Sequence, residues 1–204
     1  MKITSSKGKG TKIHISIDGE YALTVDADYW YSSGYSYRED ITEEEFEELK
    51  EKIGCRRAYN KALTLLTSRD QSRQELKRKL LRSFDENAVE AALDRVQELN
   101  LINDERFALA FANELYNKKK MSVFAISREL YAKGIDRDII DEVVSSFDTD
   151  PVADIEEIVN AKYIDKLGDE KGFRRTYNAL VRLGYKHSDI MKVLNSLSDK
   201  GGYY

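Results

Sequence analysis

One spacing, met three times, constrains this chain more than anything else in it. Counting from Phe84, apolar residues follow five, eight, nine and twelve places on, at Val89, Ala92, Leu93 and Val96. From Ile135 the same steps reach Ile140, Val143, Val144 and Phe147, and from Tyr185 they reach Ile190, Val193, Leu194 and Leu197. At 3.6 residues per turn, each set makes one apolar stripe on a helix. A second stripe precedes each anchor: Leu76 and Leu80, Ile126 and Leu130, Thr176 and Leu180. The spacing predicts that these middle helices start at Ser72, Ser122 and Gly172, with Ser72 and Glu75 forming a capping box. A third periodic segment stands before each: AYNKALTLL, DERFALAFANEL and VADIEEIVNAKYI. The unit is therefore three helices in about fifty residues, repeated three times. So small a unit buries little core alone, which predicts that neighbours stack into an elongated array.

The beginning of the chain follows a different period. Ile13, Ile15 and Ile17 alternate with Lys12, His14 and Ser16, as a half-buried strand requires. Asp18–Gly19 is a two-residue hairpin signal, and YALTV supplies the returning strand. From Thr42 the pattern is helical, opening with a capping box between Thr42 and Glu45. Pro151 marks a boundary. The expected fold is mainly α, a tandem array of three three-helix repeats preceded by a small N-terminal β element. The expected divisions are a β hairpin element over 1–41, a linking helix over 42–54, and repeats over 55–102, 103–149 and 150–204.

At 41% hydrophobic and 34% charged residues, the chain has enough apolar material to fold. The single cysteine, Cys55, cannot form an internal disulfide, which fits a reducing compartment. The N-terminal MKITSSKGKGTKIHI has no apolar run of signal-peptide length, and no window approaches a membrane span, so a cytoplasmic protein is expected. No metal-ligand spacing, P-loop or glycine-rich phosphate cradle is present; neither cofactor, metal nor catalytic residue is expected. His14 falls on the polar face of a strand, His187 in a turn, and Asp104–Arg106 in the first turn of a helix capped by Asn103.

Charge is distributed in phase with the repeat. Residues 56–82 hold nine basic and two acidic residues, 83–117 two and eight, 118–134 five and one, 135–170 three and twelve, and 171–200 seven and two. Positive charge thus recurs with each middle helix, although the formal net charge is −4. At 100° per residue, Arg78 and Arg82 lie opposite Leu76 and Leu80. Arg128 stands fifty residues after Arg78, Arg182 stands one hundred after Arg82, and Arg175 joins the same face; Lys118 and Lys119 lead into the second middle helix. A solvated face balanced by the acidic helices is the simpler alternative. Repetition in phase favours a basic stripe for an anionic partner, a phosphate backbone or an acidic protein groove.

The stretch SRQELKRKLLRSFDENAVEAALDRVQELNLINDERFALAFANEL resembles the core of the RecX family of recombinase regulators. The residues carrying the likeness are Ser72, Glu75, Leu76, Lys79, Leu80 and Phe84, then Ile102 to Ala108, with a second signature at Glu129, Leu130, Lys133, Gly134 and Ile135. DGEYAL before TEEEFEEL resembles members with an added N-terminal β element. Two departures stand out. Arg82–Ser83 replaces the Lys-Gly common in the family, and DYWYSSGYSYRED is unusually aromatic, which the hairpin's apolar face explains more simply than base stacking. The resemblance implies a regulator that binds the RecA filament along its groove and mostly inhibits ATP hydrolysis and strand exchange. The chain is expected to be monomeric and not an enzyme, the basic stripe of Arg78, Arg82, Lys118, Lys119, Arg128, Arg175 and Arg182 is expected to contribute to the filament and DNA contact, and weak affinity for single-stranded or duplex DNA is expected beside it. The competing expectation is a helix-turn-helix regulator reading duplex DNA. The middle helices carry few of the Asn, Gln and Ser side chains typical of base readout, and such a reader needs no triplication.

Overall fold

The computed structural model describes residues 1–200; the last four residues assigned to the third repeat lie outside the described residues. The chain divides into two compact units, one of Met1–Thr64 with Leu80–Val96, the other of Leu65–Lys79 with the chain from Gln97 onward.

The first unit is built on an antiparallel sheet of β1 (Ile3–Lys7), β2 (Lys12–Ile17) and β3 (Glu20–Asp26), in that order. The β2–β3 hairpin forms where the spacing predicts it. Its turn residues Asp18 and Gly19 are both left-handed, with φ of 50° and 88°, as a type I′ turn demands. The sequence reading contains only this hairpin, whereas the structure adds β1. Only Ile3 of that strand is buried, so it carries no alternation to read. Pairing supplies what pattern does not: Ile3 stands opposite Ile17, and the Ile3 N–H donates to the Glu39 carbonyl at 2.8 Å.

Ile3, Ile13, Ile15 and Val25 pack with Trp30 of α1 (Ala27–Ser32) and with Leu49 and Ile53 of α2 (Glu43–Leu66). The aromatic segment is divided: Trp30 is buried, Tyr29 and Tyr35 lie against this core, and Tyr31 and Tyr37 are exposed. The Thr42–Glu45 capping box is formed in both directions, with bonds of 3.1 and 2.9 Å. From there α2 runs unbroken through Gly54, so the linking helix and the first helix of the first repeat are one element. A mid-helix glycine costs only about 1 kcal/mol. Here it faces Ala88 of α4 (Glu86–Glu98), within a contact of small residues that includes Ala58 and Ala92. Cys55 lies beside this contact, where burial and then the nearby Asp85 and Glu51 carboxylates push its thiol above the ordinary range. Such a thiol is a poor nucleophile.

In the second unit, α5 (Asp104–Asn117), α6 (Val123–Ala132) and α7 (Arg137–Ser145) enclose Ala112, Leu115, Ile126, Leu130 and Ile140. Then α8 (Pro151–Lys162), α9 (Glu170–Arg182) and α10 (His187–Lys200) enclose Ile155, Ile158, Leu180, Ile190 and Leu194. The middle helix of the first repeat is α3 (Arg73–Leu80). Every residue of the middle-helix stripes, Leu76, Leu80, Ile126, Leu130, Thr176 and Leu180, is fully buried. Pro151 occupies the first turn of α8 behind the cap Asp150. Asn103 caps α5, accepting from the Arg106 N–H at 2.7 Å.

One helix start is corrected. α9 begins at Glu170, capped by Asp169, whose carboxylate accepts from the Gly172 N–H. Gly172 is a first-turn residue buried against the Lys166 carbonyl, where a Cβ would collide. A carboxylate three residues earlier is the stronger cap, and it displaces the start that the fifty-residue register implies.

Candidate interaction surface

The middle helices owe their placement to a joint used twice in the second unit. Ser72, at the N-terminus of α3, takes the Glu75 N–H at 3.1 Å while its own hydroxyl donates to the Lys133 carbonyl at 2.6 Å, just past the end of α6. Fifty residues on, Ser122 takes the Ala125 N–H at 3.2 Å and donates to the Gly184 carbonyl at 2.7 Å, just past the end of α9. Each serine thus caps its own helix and satisfies a carbonyl that the end of the next repeat's helix leaves free.

Glycine lets the ends meet. Gly134 and Gly184 follow α6 and α9 with φ of 77° and 89°, the left-handed turn that ends a helix. A Cβ on Gly134 would collide with Gln74, and one on Gly184 with Ala125 and Ser122. Within this unit the C-terminus of α9 therefore abuts the N-terminus of α6, and the C-terminus of α6 abuts the N-terminus of α3.

Glu75 closes the first joint. It is 9% exposed and accepts from Lys133 at 2.7 Å and from Arg69 at 3.3 Å. Its predicted capping box with Ser72 is formed from the serine side, while the carboxylate turns to these two cations. Burial raises the Glu75 pKa, but hydrogen bonds from Lys133 and then Arg69 outweigh it and hold the group below the ordinary glutamate range. A depressed carboxylate stabilises the fold above its unfolded pKa of about 4.3, and that stability is lost as pH falls through the lower folded value. Glu75→Gln is therefore expected to cost about 2 kcal/mol near neutral pH. In urea titrations at several pH values, the gap to wild type should close below about pH 4; a constant gap would remove the ion pairs from the explanation.

A pair of carboxylates is also in register. Asp104 accepts from the Arg73 N–H at 2.8 Å, and Asp154 accepts from the Tyr116 hydroxyl at 3.1 Å. Burial raises the pKa of both, and these donors offset part of the rise.

The seven basic residues singled out by the sequence are all exposed. Arg128 lies on α6, and Arg175 and Arg182 lie seven residues apart on α9, which puts them on one face about 10 Å apart. Lys118 is the C-terminal cap residue of α5, and Lys119 follows it. Lys120 differs: it is left-handed at φ 56° and its ammonium is tied to Glu157 at 2.9 Å. Arg78 makes only long bonds, 3.4 Å, to the Gln74 and Ala132 carbonyls. Arg82 belongs to the first unit and stands in the turn after α3, so its helical phase does not hold. None of the seven forms an ion pair among the described residues. A face merely balanced by its acidic neighbours would show such pairs. Arg174 went unread in the sequence; it is exposed beside Arg175 and lines the same shallow depression with Lys171, Asn178, Asp169 and Glu170. Among the described residues, no cluster of His, Cys, Asp and Glu is suited to a metal ion, and no helix is long and apolar enough to cross a membrane.

Comparison with known proteins gives two family matches: the first three-helix domain of RecX over residues 58–95 and the second over 103–144. A protein of Clostridioides difficile (strain 630) named regulatory protein RecX is 31% identical over 204 residues, covering 96% of this chain and 94% of its own length. A Caldanaerobacter subterraneus protein of the same name is 29% identical, covering 92% and 94%. A crystal structure of regulatory protein RecX superposes with a TM-score of 0.66 at 19% identity, over 96% of this chain and 98% of that one. The RecX structure from Lactobacillus salivarius gives 0.58 at 21% identity, over 71% and 96%.

Proposed function

From its membership of the RecX family, to which this chain belongs, we propose that it is a cytoplasmic, monomeric regulator that binds the RecA–DNA filament and inhibits its ATP hydrolysis and strand exchange. The observation that carries this is the exposed, unpaired basic face recurring on the middle helices. Arginines left without carboxylate partners retain their charge for an anionic surface, and a filament offers both acidic protein and DNA phosphate. Each repeat, over 55–102, 103–149 and 150–204, contributes one middle helix, so that contacts repeat along the chain as subunits repeat along a filament. Weak DNA affinity accompanies the main contact, because unpaired arginines attract phosphate at low salt without reading bases.

The test is RecA ATP hydrolysis on single-stranded DNA with this protein added well below the RecA concentration. Strong inhibition is expected, since each bound molecule affects a run of protomers. Unchanged hydrolysis, beside salt-sensitive DNA binding by the chain alone, would replace the proposal with a DNA-binding regulator.

A further inference from the structure

The fifty-residue register also places apolar residues outside the core. Leu81, Tyr131 and Val181 occupy one position of the repeat, three residues after Arg78, Arg128 and Asn178, and they are 42%, 76% and 45% exposed. On α6, Phe124 is also 63% exposed, one heptad before Tyr131. The two rings lie within about 20° of each other around the helix, with Arg128 between them along the axis and about 40–60° to one side. A cleft of about 220 Å³ opens beside Phe124, lined by Val123, Pro151 and Tyr185 among others. Val181 stands three residues before Gly184, which packs on Ala125 of α6. Large apolar side chains held out in water beside unpaired arginines are the composition of a protein-binding patch.

Resting on the functional reading above, we propose that Phe124, Tyr131 and Val181 anchor this chain on the protein part of the filament, against a surface presenting an apolar side chain flanked by carboxylates. The occupant is protein rather than nucleic acid because the position is apolar in all three repeats but aromatic in one, and leucine and valine offer no face on which a base stacks. Arginine beside an apolar anchor instead suits a carboxylate at the rim of a desolvated contact.

Tyr131 and Phe124 are exposed, so their replacement leaves the core intact, and far-UV circular dichroism of each variant verifies this. Affinity of the full chain is measured for RecA filaments on single-stranded DNA and, separately, for the DNA alone. Tyr131→Ala is expected to weaken filament binding about tenfold or more, as loss of an interface anchor does. Tyr131→Leu, which installs the residue type of the first repeat, should keep most of the affinity, and both variants should bind bare DNA like wild type. Equal filament binding by wild type, Tyr131→Ala and a Phe124→Ala/Tyr131→Ala pair would overturn the anchor while leaving the regulator reading in place. Loss in Tyr131→Leu equal to that in Tyr131→Ala, with DNA binding lost in parallel, would make the face a base-stacking surface and overturn the protein occupant. Failure of wild type to bind filaments would overturn the functional reading and this proposal with it.

Discussion

Gly184→Ala is expected to destabilise the protein by about 3 kcal/mol, combining left-handed backbone strain with overpacking. At φ 89° a side chain is disfavoured wherever it points, and this one points at Ala125 and Ser122. The clash cannot be relieved by rotating a flexible neighbour. Ala125 has no rotamer to change, and Ser122 is held between the Ala125 N–H and the Gly184 carbonyl. To accommodate the methyl group, the end of α9 must move off the start of α6, breaking the hydrogen bond that joins the second and third repeats. Gly168 provides the control, since a Cβ there meets nothing and its backbone is not left-handed. Gly168→Ala should stay within about 0.5 kcal/mol of wild type. Urea unfolding reads the difference as a shift in midpoint at constant slope. A loss below about 1 kcal/mol in Gly184→Ala would mean that the joint yields at small cost, and its role in fixing the helices would have to be given up.

The repeat was legible because its signal is periodic and redundant. The three stripes ending at Val96, Phe147 and Leu197, and the paired positions from Leu76 to Leu180, are buried or half-buried where their spacing puts them. β1 was not legible, since four of its five residues face water and its pairing is set by backbone hydrogen bonds rather than side-chain pattern. The start of α9 was misplaced for a related reason: the register carried Ser122 forward to Gly172, while the local carboxylate of Asp169 decides the cap. The repeat joints lie between these cases. Ser72 and Ser122 are readable as caps, but a cap sequence does not reveal that the same hydroxyl also donates across sixty residues. Exposure of Arg78, Arg128, Arg175 and Arg182 followed from helical phase, whereas at Arg82 α3 has already ended at Leu80, and Lys118 and Lys119 stand at and after the end of α5. Their freedom from ion pairs depends on side-chain positions that spacing does not determine.

That freedom makes the second large effect functional. Arg128→Glu/Arg175→Glu/Arg182→Glu is expected to weaken binding to RecA filaments by about 100-fold or more, because reversal replaces attraction with like-charge repulsion worth several kcal/mol. Folding should change little, since none of the three holds a carboxylate among the described residues. The loss should also shrink as salt rises, because exposed charges are screened over about 8 Å at physiological ionic strength. Replacement of the same three by Gln separates the lost attraction from the added repulsion, and should fall between wild type and the reversed protein.

The claim that the middle helices present their free arginines to the filament is tested most directly by the affinity of wild type and this triple-Glu variant for RecA filaments on single-stranded DNA, measured side by side at low and physiological salt. The expected result is tight wild-type binding and a variant weakened about 100-fold, with a gap that narrows as salt is added. Equal affinity of the two proteins, each shown to be folded, would contradict it.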